Sequence, residues 1–169
     1  AADCPTDAAP DAALGHVPAH GSEWMMAFEP PLAAGSEGDR GSYARIVGAY
    51  GRAAIDAGLQ VGYVNERQLP EADELVRRYP VLVVAGLVAA SDPTLETLVE
   101  YARLRGRVEV GGRTGNGEHA GRPRAPRPPA IVGPAAGVGY REFAALAAPV
   151  EGVREGEVVG SARGWVDGL

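Results

Sequence analysis

The clearest hydrophobic pattern in the chain runs through residues 80–115 and predicts one strand–helix–strand unit. The continuous apolar run Val81–Ala85 is typical of a strand buried on both faces of a parallel sheet. Ser91 or Asp92 can cap the helix that follows. The apolar positions of that helix recur at helical spacing, at Leu95, Leu98, Val99 and Ala102. A second strand is then predicted over Arg107–Val110, so the unit indicates a parallel α/β sheet.

Weaker patterns predict further elements on both sides of this unit. The predicted strands are Ser22–Phe28, Leu59–Val64, Val138–Leu146 and Glu157–Leu169, and the predicted helices are Ser42–Gly58 and Pro70–Arg78. Strands that alternate with helices through short connections require right-handed crossovers. The sequence therefore predicts an α/β domain of three layers, with a mostly parallel sheet and helices on both faces.

The chain divides into three segments by its pattern. Residues 1–21 carry small acidic and turn-forming clusters without periodicity, and we expect a linker or a loosely packed tail there. The α/β domain is predicted over residues 22–150, and residues 151–169 are predicted to hold a strand that leads to a further segment. Because the chain opens with Ala1, we expect a processed or excised piece of a larger protein.

Composition and charge narrow the range of partners. A chain of 169 residues with a net charge of −6 suits one globular domain and disfavours binding to nucleic acid or to an anionic membrane surface. No apolar run reaches the length of a membrane span, and no signal peptide is recognisable at the N-terminus. We therefore expect a cytoplasmic protein without a membrane or nucleic-acid partner.

Two loops are candidate sites for a phosphate-bearing cofactor. Loop 29–41 contains two prolines and several carboxylates, which remove hydrogen-bond donors and repel an anion. The string GGRTGNG at residues 111–117 is rich in glycine, but no helix follows to hold a phosphate at its N-terminus. A turn is the favoured interpretation of that string, and no cofactor is expected.

The sequence offers little for covalent or metal chemistry. The turns after the predicted central strands contain no cysteine, and Ser91 lies too far along its loop to be an elbow nucleophile. Cys4, His16, His20 and His119 are the remaining candidates for metal ligands. Pro18 breaks the helix that would align His16 with His20, so these histidines are expected to be exposed in a tail. No catalytic residue and no metal site are expected.

The loop over residues 111–129 is rich in arginine and proline and is predicted to lie on the surface. Three of its arginines, Arg122, Arg124 and Arg127, are interleaved with prolines. Three interpretations stay open: a polyproline ligand for an aromatic groove, a stiff solvated loop, and a contact with another subunit.

Four segments in the same order carry a family resemblance. They are a strand that ends in Phe28-Glu29, the helix–strand segment Tyr43–Val64, the unit Pro80–Gly115 and the segment Gly137–Leu146. Together they resemble the middle domain, called the trimerisation domain, of the glycoside hydrolase family 42 β-galactosidases. The likeness covers about residues 22–150, and the third segment is the most specific part.

The resemblance implies a fold and a role. The fold would be flavodoxin-like, similar to the class I glutamine amidotransferases but without their chemistry. The implied role is a non-catalytic assembly domain of a β-galactosidase-like glycoside hydrolase, in which a catalytic barrel domain holds the reacting carboxylates. This domain would build a homo-oligomer, a trimer, and help to close the active sites. The alternative is a stand-alone amidotransferase-like domain that binds or hydrolyses a small molecule.

The resemblance also implies a loop at the edge of a pocket or subunit. The residues carried over to this role are Glu29, Arg113, Thr114, Gly115, Glu118 and His119. The family usually has tryptophans shortly after its first strand, near the sugar site. With the first strand placed at Ser22–Phe28, the matching loop PPLAAGSEG has no aromatic residue, and a contribution to the sugar site is not expected.

Overall fold

A four-stranded parallel sheet forms the centre of the protein in the computed structural model. The structure describes residues 11–29, 38–125, 129–137, 139, 142–145, 150–155, 158–162 and 165–168. The strands of the central sheet are β1 (Leu14–His16), β2 (Val61–Tyr63), β3 (Val81–Val84) and β4 (Arg107–Val110). Their order is β2-β1-β3-β4 and every neighbouring pair is parallel. The predicted α/β class with a mostly parallel sheet is confirmed, and the order matches the flavodoxin-like arrangement.

Helices connect the strands of this sheet. In chain order they are α1 (His20–Phe28), α2 (Ser42–Asp56), a 3₁₀ helix (Glu66–Gln68), α3 (Ala72–Arg78), α4 (Asp92–Arg103) and α5 (Gly133–Ala136). The predicted unit over residues 80–115 is confirmed as β3–α4–β4, and Ser91 caps α4 by accepting a hydrogen bond from the Thr94 N–H. The chain moves along the sheet in one direction from β1 to β2 and in the other direction afterwards. Right-handed crossovers therefore place α1 and α2 on one face, and α3 and α4 on the other.

Two antiparallel strand pairs follow the central sheet. Strand β5 (Glu142–Ala145) pairs with β8 (Trp165–Gly168), and β6 (Val150–Glu155) pairs with β7 (Val158–Ala162). The predicted strands Val138–Leu146 and Glu157–Leu169 overlap these elements. The second of them is divided, because it contains both β7 and β8.

The main core lies between the sheet and the helix pair α3/α4. Its fully buried side chains include Leu75, Tyr79, Leu82, Val84, Leu95, Leu98 and Tyr101. Tyr101 donates its hydroxyl hydrogen to the carbonyl oxygen of Tyr79 over 2.6 Å in this buried setting. The ring of Tyr79 in turn lies against Gly62 of β2, where an added Cβ would approach it to 2.5 Å. Glycine at this position lets the aromatic ring pack directly on the sheet backbone.

A smaller core lies on the α1/α2 face. Met26, Tyr43 and Val88 are buried there, and Met25, Ile46 and Val47 are partly buried against them. The predicted apolar stripe of α2 is only partly covered, because Tyr50 and Ile55 remain exposed. The two faces of the sheet are therefore packed to different extents.

The predictions for the first strand and for the N-terminal tail were wrong. The central strand is β1 at Leu14–His16, and residues 20–28 form helix α1. The predicted tail covers residues 1–21. Within the part of it that the structure describes, Val17 and Ala19 are buried in the main core. The segment Ser22–Phe28 was mistaken for a strand because it is apolar. Its buried members, Ser22 and Met26, are four residues apart, which is the spacing of a helix face. Residues 1–10, including Cys4, lie outside the described residues.

Among the described residues, no helix is long and apolar enough to cross a membrane.

Candidate functional site

The connections at the carboxyl ends of the central strands converge at the boundary between β1 and β3. The chain leaves β1 toward β2 on one side and leaves β3 toward β4 on the other, so this boundary is the switch point where ligands bind in open α/β sheets. Ser22 of α1 holds the two connections together. Its hydroxyl group donates to the Ala89 carbonyl and accepts from the Ala89 N–H, each over 3.0 Å.

The connection after β4 adds an ordered wall to this edge. Gly117 forms a parallel bridge with Ala89, and its N–H donates to the Val88 carbonyl over 2.9 Å. Gly117 also pairs with Pro123 in the antiparallel sense. The loop predicted from its glycine and proline content therefore contains one bridge pairing of its own, between Gly117 and Pro123. It places His119 beside the first turn of α1.

A cavity of 480 Å3 opens between α1 and this loop. It is lined by Gly21, Trp24, Met25, Phe28, Glu29, His119, Ala120 and Gly121. Two of the residues predicted for a pocket edge, Glu29 and His119, thus line the same cavity although they are far apart in sequence. Both are exposed at its rim.

The most exposed aromatic side chains of α1 lie between two cavities. Trp24 is 69% exposed and Phe28 is 84% exposed, and they are one helical turn apart. Both line the cavity beside His119 and also a second one of 580 Å3, whose other walls include Gly38 and Arg40. We name Trp24 and Phe28 the aromatic ridge. Sequence reasoning missed it because α1 was interpreted as a strand, although the four-residue spacing was visible.

The remaining residues predicted for the pocket edge lie in or after the turn that follows β4. Thr114 is buried, and its hydroxyl donates to the Gly111 carbonyl over 2.7 Å and lies 3.3 Å from the Val84 carbonyl. Arg113 and Gly115 flank it with positive φ angles of 61° and 67°. Glu118 is half-buried, and its N–H donates to the Arg122 carbonyl. None of these four residues lines the two cavities described above. The contact of Thr114 with the Val84 carbonyl holds the turn against the end of β3.

The arginine-rich segment is partly fixed to the domain. Arg124 is almost fully buried, pairs with Asp92, and donates to the Ala90 carbonyl over 2.6 Å. Arg122 is exposed, and Arg127 lies outside the described residues. Because Arg124 is used inside the domain, only part of the arginine cluster remains available to a partner.

A smaller cavity of 150 Å3 lies at the switch point itself. Its polar lining comes from the 3₁₀ helix, the first turn of α4 and the loop after β4, with Glu66, Arg67, Ser91, Thr94 and His119. This cavity shares Gly21 and His119 with the larger one. The two cavities are therefore neighbours on one edge of the sheet.

Two buried polar side chains support the carboxyl end of β1. The Tyr43 hydroxyl accepts a hydrogen bond from the Ala19 N–H over 2.7 Å, and burial raises the pKa of this phenol. His16 is buried against Tyr63 with ring centroids 5.7 Å apart, and neither ring nitrogen has a hydrogen-bond partner in the described structure. Burial lowers the pKa of His16. The expectation that His16 is solvent-exposed was wrong, whereas His20 is exposed as predicted.

The described residues contain no group of three or more histidine, cysteine, aspartate or glutamate side chains that could hold a metal ion. At the switch point they provide an exposed imidazole, carboxylates, hydroxyl groups and an apolar surface. This chemistry suits recognition of a partner or a small polar molecule.

Comparison with known proteins gives matches in structure but not in sequence. No protein-family model matches the sequence, and no curated protein matches it. Several solved β-galactosidases match in fold. A GH42 β-galactosidase from G. stearothermophilus matches with a TM-score of 0.77 and 13% identity, over 94% of this chain and 22% of that one.

Two further solved β-galactosidases match nearly all of this chain but only a small part of their own length. The β-galactosidase from Bacillus circulans sp. alkalophilus has a TM-score of 0.72 and 17% identity, over 96% of this chain and 23% of that one. The β-galactosidase from the Antarctic haloarchaeon Halorubrum lacusprofundi has a TM-score of 0.69 and 19% identity, over 94% of this chain and 22% of that one. The chain thus spans less than a quarter of these enzymes. The resemblance predicted from the sequence is confirmed at the level of the fold.

Proposed function

We propose that this chain is a non-catalytic assembly domain of a β-galactosidase-like glycoside hydrolase in the cytoplasm. It would join a catalytic barrel domain and its subunits, as a trimer, and help to close the active sites. The observation that carries the proposal is the coverage: the match takes in 94% of this chain but only 22% of the β-galactosidase. The reaction of the whole enzyme would then belong to the part of the β-galactosidase that lies outside the matched region.

The aromatic ridge supports an assembly role. Large aromatic side chains dominate the binding energy of protein interfaces when they are buried in a partner. Trp24 and Phe28 are exposed beside two cavities whose rims carry the charged residues Glu29 and Arg40. An apolar centre with a charged rim is the general arrangement of a protein–protein contact.

The correction to the first strand also strengthens the resemblance. The family has tryptophans shortly after its first strand, and the predicted strand placed an aromatic-free loop there. With β1 at Leu14–His16, the segment that follows is α1, and it contains Trp24. We therefore propose that this face of the domain lies toward the active site of the barrel, and that Glu29 and His119 lie at its edge.

The test uses an enzyme chain that contains this domain together with its catalytic barrel. Size-exclusion chromatography with light scattering should give a trimer. The double substitution Trp24→Ser with Phe28→Ser should reduce the assembled fraction or lower kcat/KM for a galactoside. Ile55→Ser is the matched control, because Ile55 is an exposed apolar residue of α2 that lines none of these cavities. A monomeric parent enzyme whose activity is unaffected by the double substitution would contradict the proposal.

The alternative function, binding of a small molecule by the domain alone, is favoured by one observation. The switch-point cavity is small, lined by polar side chains and distinct from the aromatic ridge. A thermal-shift screen of the isolated chain against amino acids, sugars and nucleotides separates the two functions, because only the alternative requires a specific stabilisation.

A further inference from the structure

The loop that walls the 480 Å3 cavity is a short hairpin, and we name residues 116–124 the wall hairpin. Three main-chain pairings join its two strands: Arg124 with Asn116, Gly117 with Pro123, and Glu118 with Arg122. The tip between the strands carries His119, Ala120 and Gly121, which line the cavity beside the aromatic ridge. Because the pairings connect the tip to the base, the position of the base determines where the tip lies.

The two strands of the wall hairpin are anchored to the domain in different ways. Main-chain hydrogen bonds hold the first strand, since the Gly117 N–H donates to the Val88 carbonyl over 2.9 Å and the Gly117 carbonyl accepts from the Ala90 N–H over 3.1 Å. A side chain holds the second strand. Arg124 donates to the Ala90 carbonyl over 2.6 Å and pairs with Asp92 in the first turn of α4. Within the described ranges, no other side chain of the wall hairpin forms a hydrogen bond or ion pair with the rest of the domain.

The burial of the Arg124 guanidinium group contributes little to the stability of the fold. Its side chain is 8% exposed, and its Nε atom has no hydrogen-bond partner among the described residues. The cost of removing a guanidinium group from water largely offsets the gain from pairing it with a carboxylate. The planar group does hold its acceptors in fixed directions. These properties are typical of a residue that fixes the position of a segment.

We propose that Arg124 is the positioning residue of the wall hairpin and sets where His119 lies relative to Trp24. The tip meets α1 at Gly21, where an added Cβ would lie 3.3 Å from the His119 carbonyl oxygen. Release of Arg124 from Ala90 and Asp92 would free the second strand and move this tip away from α1. The proposal refines the proposed function, because His119 and Trp24 belong to the face assigned to assembly, and it rests on that function only for its effect in the enzyme.

Amide hydrogen exchange of the whole chain, resolved by NMR, tests the role without any partner. Arg124→Met keeps an apolar side chain of similar length and removes the guanidinium group, and Asp92 is already 61% exposed to solvent. We expect the Gly117 and Glu118 amides to exchange about tenfold faster or more, because loss of a hydrogen bond from a charged group favours local opening. The Val17 amide, which donates to the Val83 carbonyl in the sheet, should keep its exchange rate.

Two further variants separate positioning from a general loss of stability. Arg122→Met removes an exposed arginine of the same hairpin and should leave all exchange rates unchanged. Arg124→Lys keeps the charge without the planar fork, so it should restore part of the protection. The indole N–H resonance of Trp24 should shift in Arg124→Met and return toward its original position in Arg124→Lys. A uniform loss of stability would not produce that pattern.

The proposal is overturned if Arg124→Met leaves the Gly117 and Glu118 amides unchanged, if Arg122→Met accelerates them equally, or if all slow amides of the chain accelerate together. If Arg124→Met fails to fold, Asp92→Asn replaces it, because it weakens the same pair from the exposed side. Faster exchange at the two amides then supports the proposal, and unchanged exchange overturns it.

The effect in the enzyme is a separate measurement. In an enzyme chain that contains this domain and its catalytic barrel, Arg124→Met should lower kcat/KM or the assembled fraction, in the same direction as the substitutions in the aromatic ridge. Faster exchange in the isolated chain together with an unaffected enzyme would support the positioning role and contradict the proposed function.

Discussion

The two faces of the central sheet differ in how completely they are covered. On the α3/α4 face, Leu82, Leu98 and Tyr101 are fully buried in one continuous core. On the α1/α2 face the core is small and the aromatic ridge is exposed. His16 also lies on this face, because the residue before it, Gly15, faces Tyr79 and Leu82 of the main core, and it is buried without a hydrogen-bond partner in the described structure. Stability is therefore concentrated on the α3/α4 face, whereas the α1/α2 face retains apolar and polar groups that no other described residue covers or pairs with.

The largest expected effect of a single substitution lies in the main core. Leu98→Ala removes a fully buried side chain from α4 and leaves a cavity, which should lower the free energy of unfolding by about 3 kcal/mol. Chemical denaturation measures it. Ile55→Ala, on an exposed position of α2, should change the free energy by less than about 0.5 kcal/mol. Equal losses for the two variants would contradict the difference between the faces.

A second effect in the main core concerns a hydrogen bond. Tyr101→Phe removes the hydroxyl that donates to the Tyr79 carbonyl and leaves this buried acceptor unpaired. We expect a loss of about 1–3 kcal/mol in the free energy of unfolding. Urea denaturation of the variant measures the loss. An unchanged midpoint would mean that the carbonyl finds another donor.

The buried histidine on the other face should make stability depend on pH. Burial lowers the pKa of His16 in the folded protein, so the unfolded chain binds the proton more readily. The stability contribution is fully present above the unfolded pKa of about 6.5 and is lost as the pH falls below it. Denaturation between pH 8 and pH 5 should therefore show a decline that His16→Leu reduces. His20→Gln, at an exposed position, is the control, and an equal slope in His16→Leu would contradict this account.

The smallest effect on stability is expected at the aromatic ridge. Trp24→Ser and Phe28→Ser remove side chains that remain mostly exposed in the isolated domain, so each should change the free energy of unfolding by about 0.5 kcal/mol or less. Thermal unfolding of the isolated chain is the measurement. A loss of several kcal/mol would show that the ridge belongs to the core of the domain instead of a contact surface.

The sequence predicted the parts of the fold with long periodic patterns. Helix α2 and the unit β3–α4–β4 were placed correctly because their apolar positions repeat over many residues. Strand β1 was missed because it has three residues, one of them a glycine, and a proline follows two positions later. So short a strand shows no period, and its burial comes from the elements that cover it.

The candidate site could be predicted only in part. The resemblance predicts Glu29 and His119 at the edge of a pocket, and both line one cavity. Glu66 lines the switch-point cavity because the fold brings the 3₁₀ helix beside α4, and no local pattern in the sequence indicates that contact. The exposed position of Trp24 could have been predicted, because its neighbours Ser22 and Met26 have the spacing of a helix face. The apolar run around it favoured a strand instead.

Hydrogen–deuterium exchange of the isolated chain, compared with the same domain inside the proposed parent enzyme, tests the assembly role. We expect assembly to slow exchange in α1 and in the loop around His119, and to leave exchange in α3 and α4 nearly unchanged. Slower exchange confined to α3 and α4, or no difference anywhere in the domain, would contradict the assignment of the α1 face to assembly.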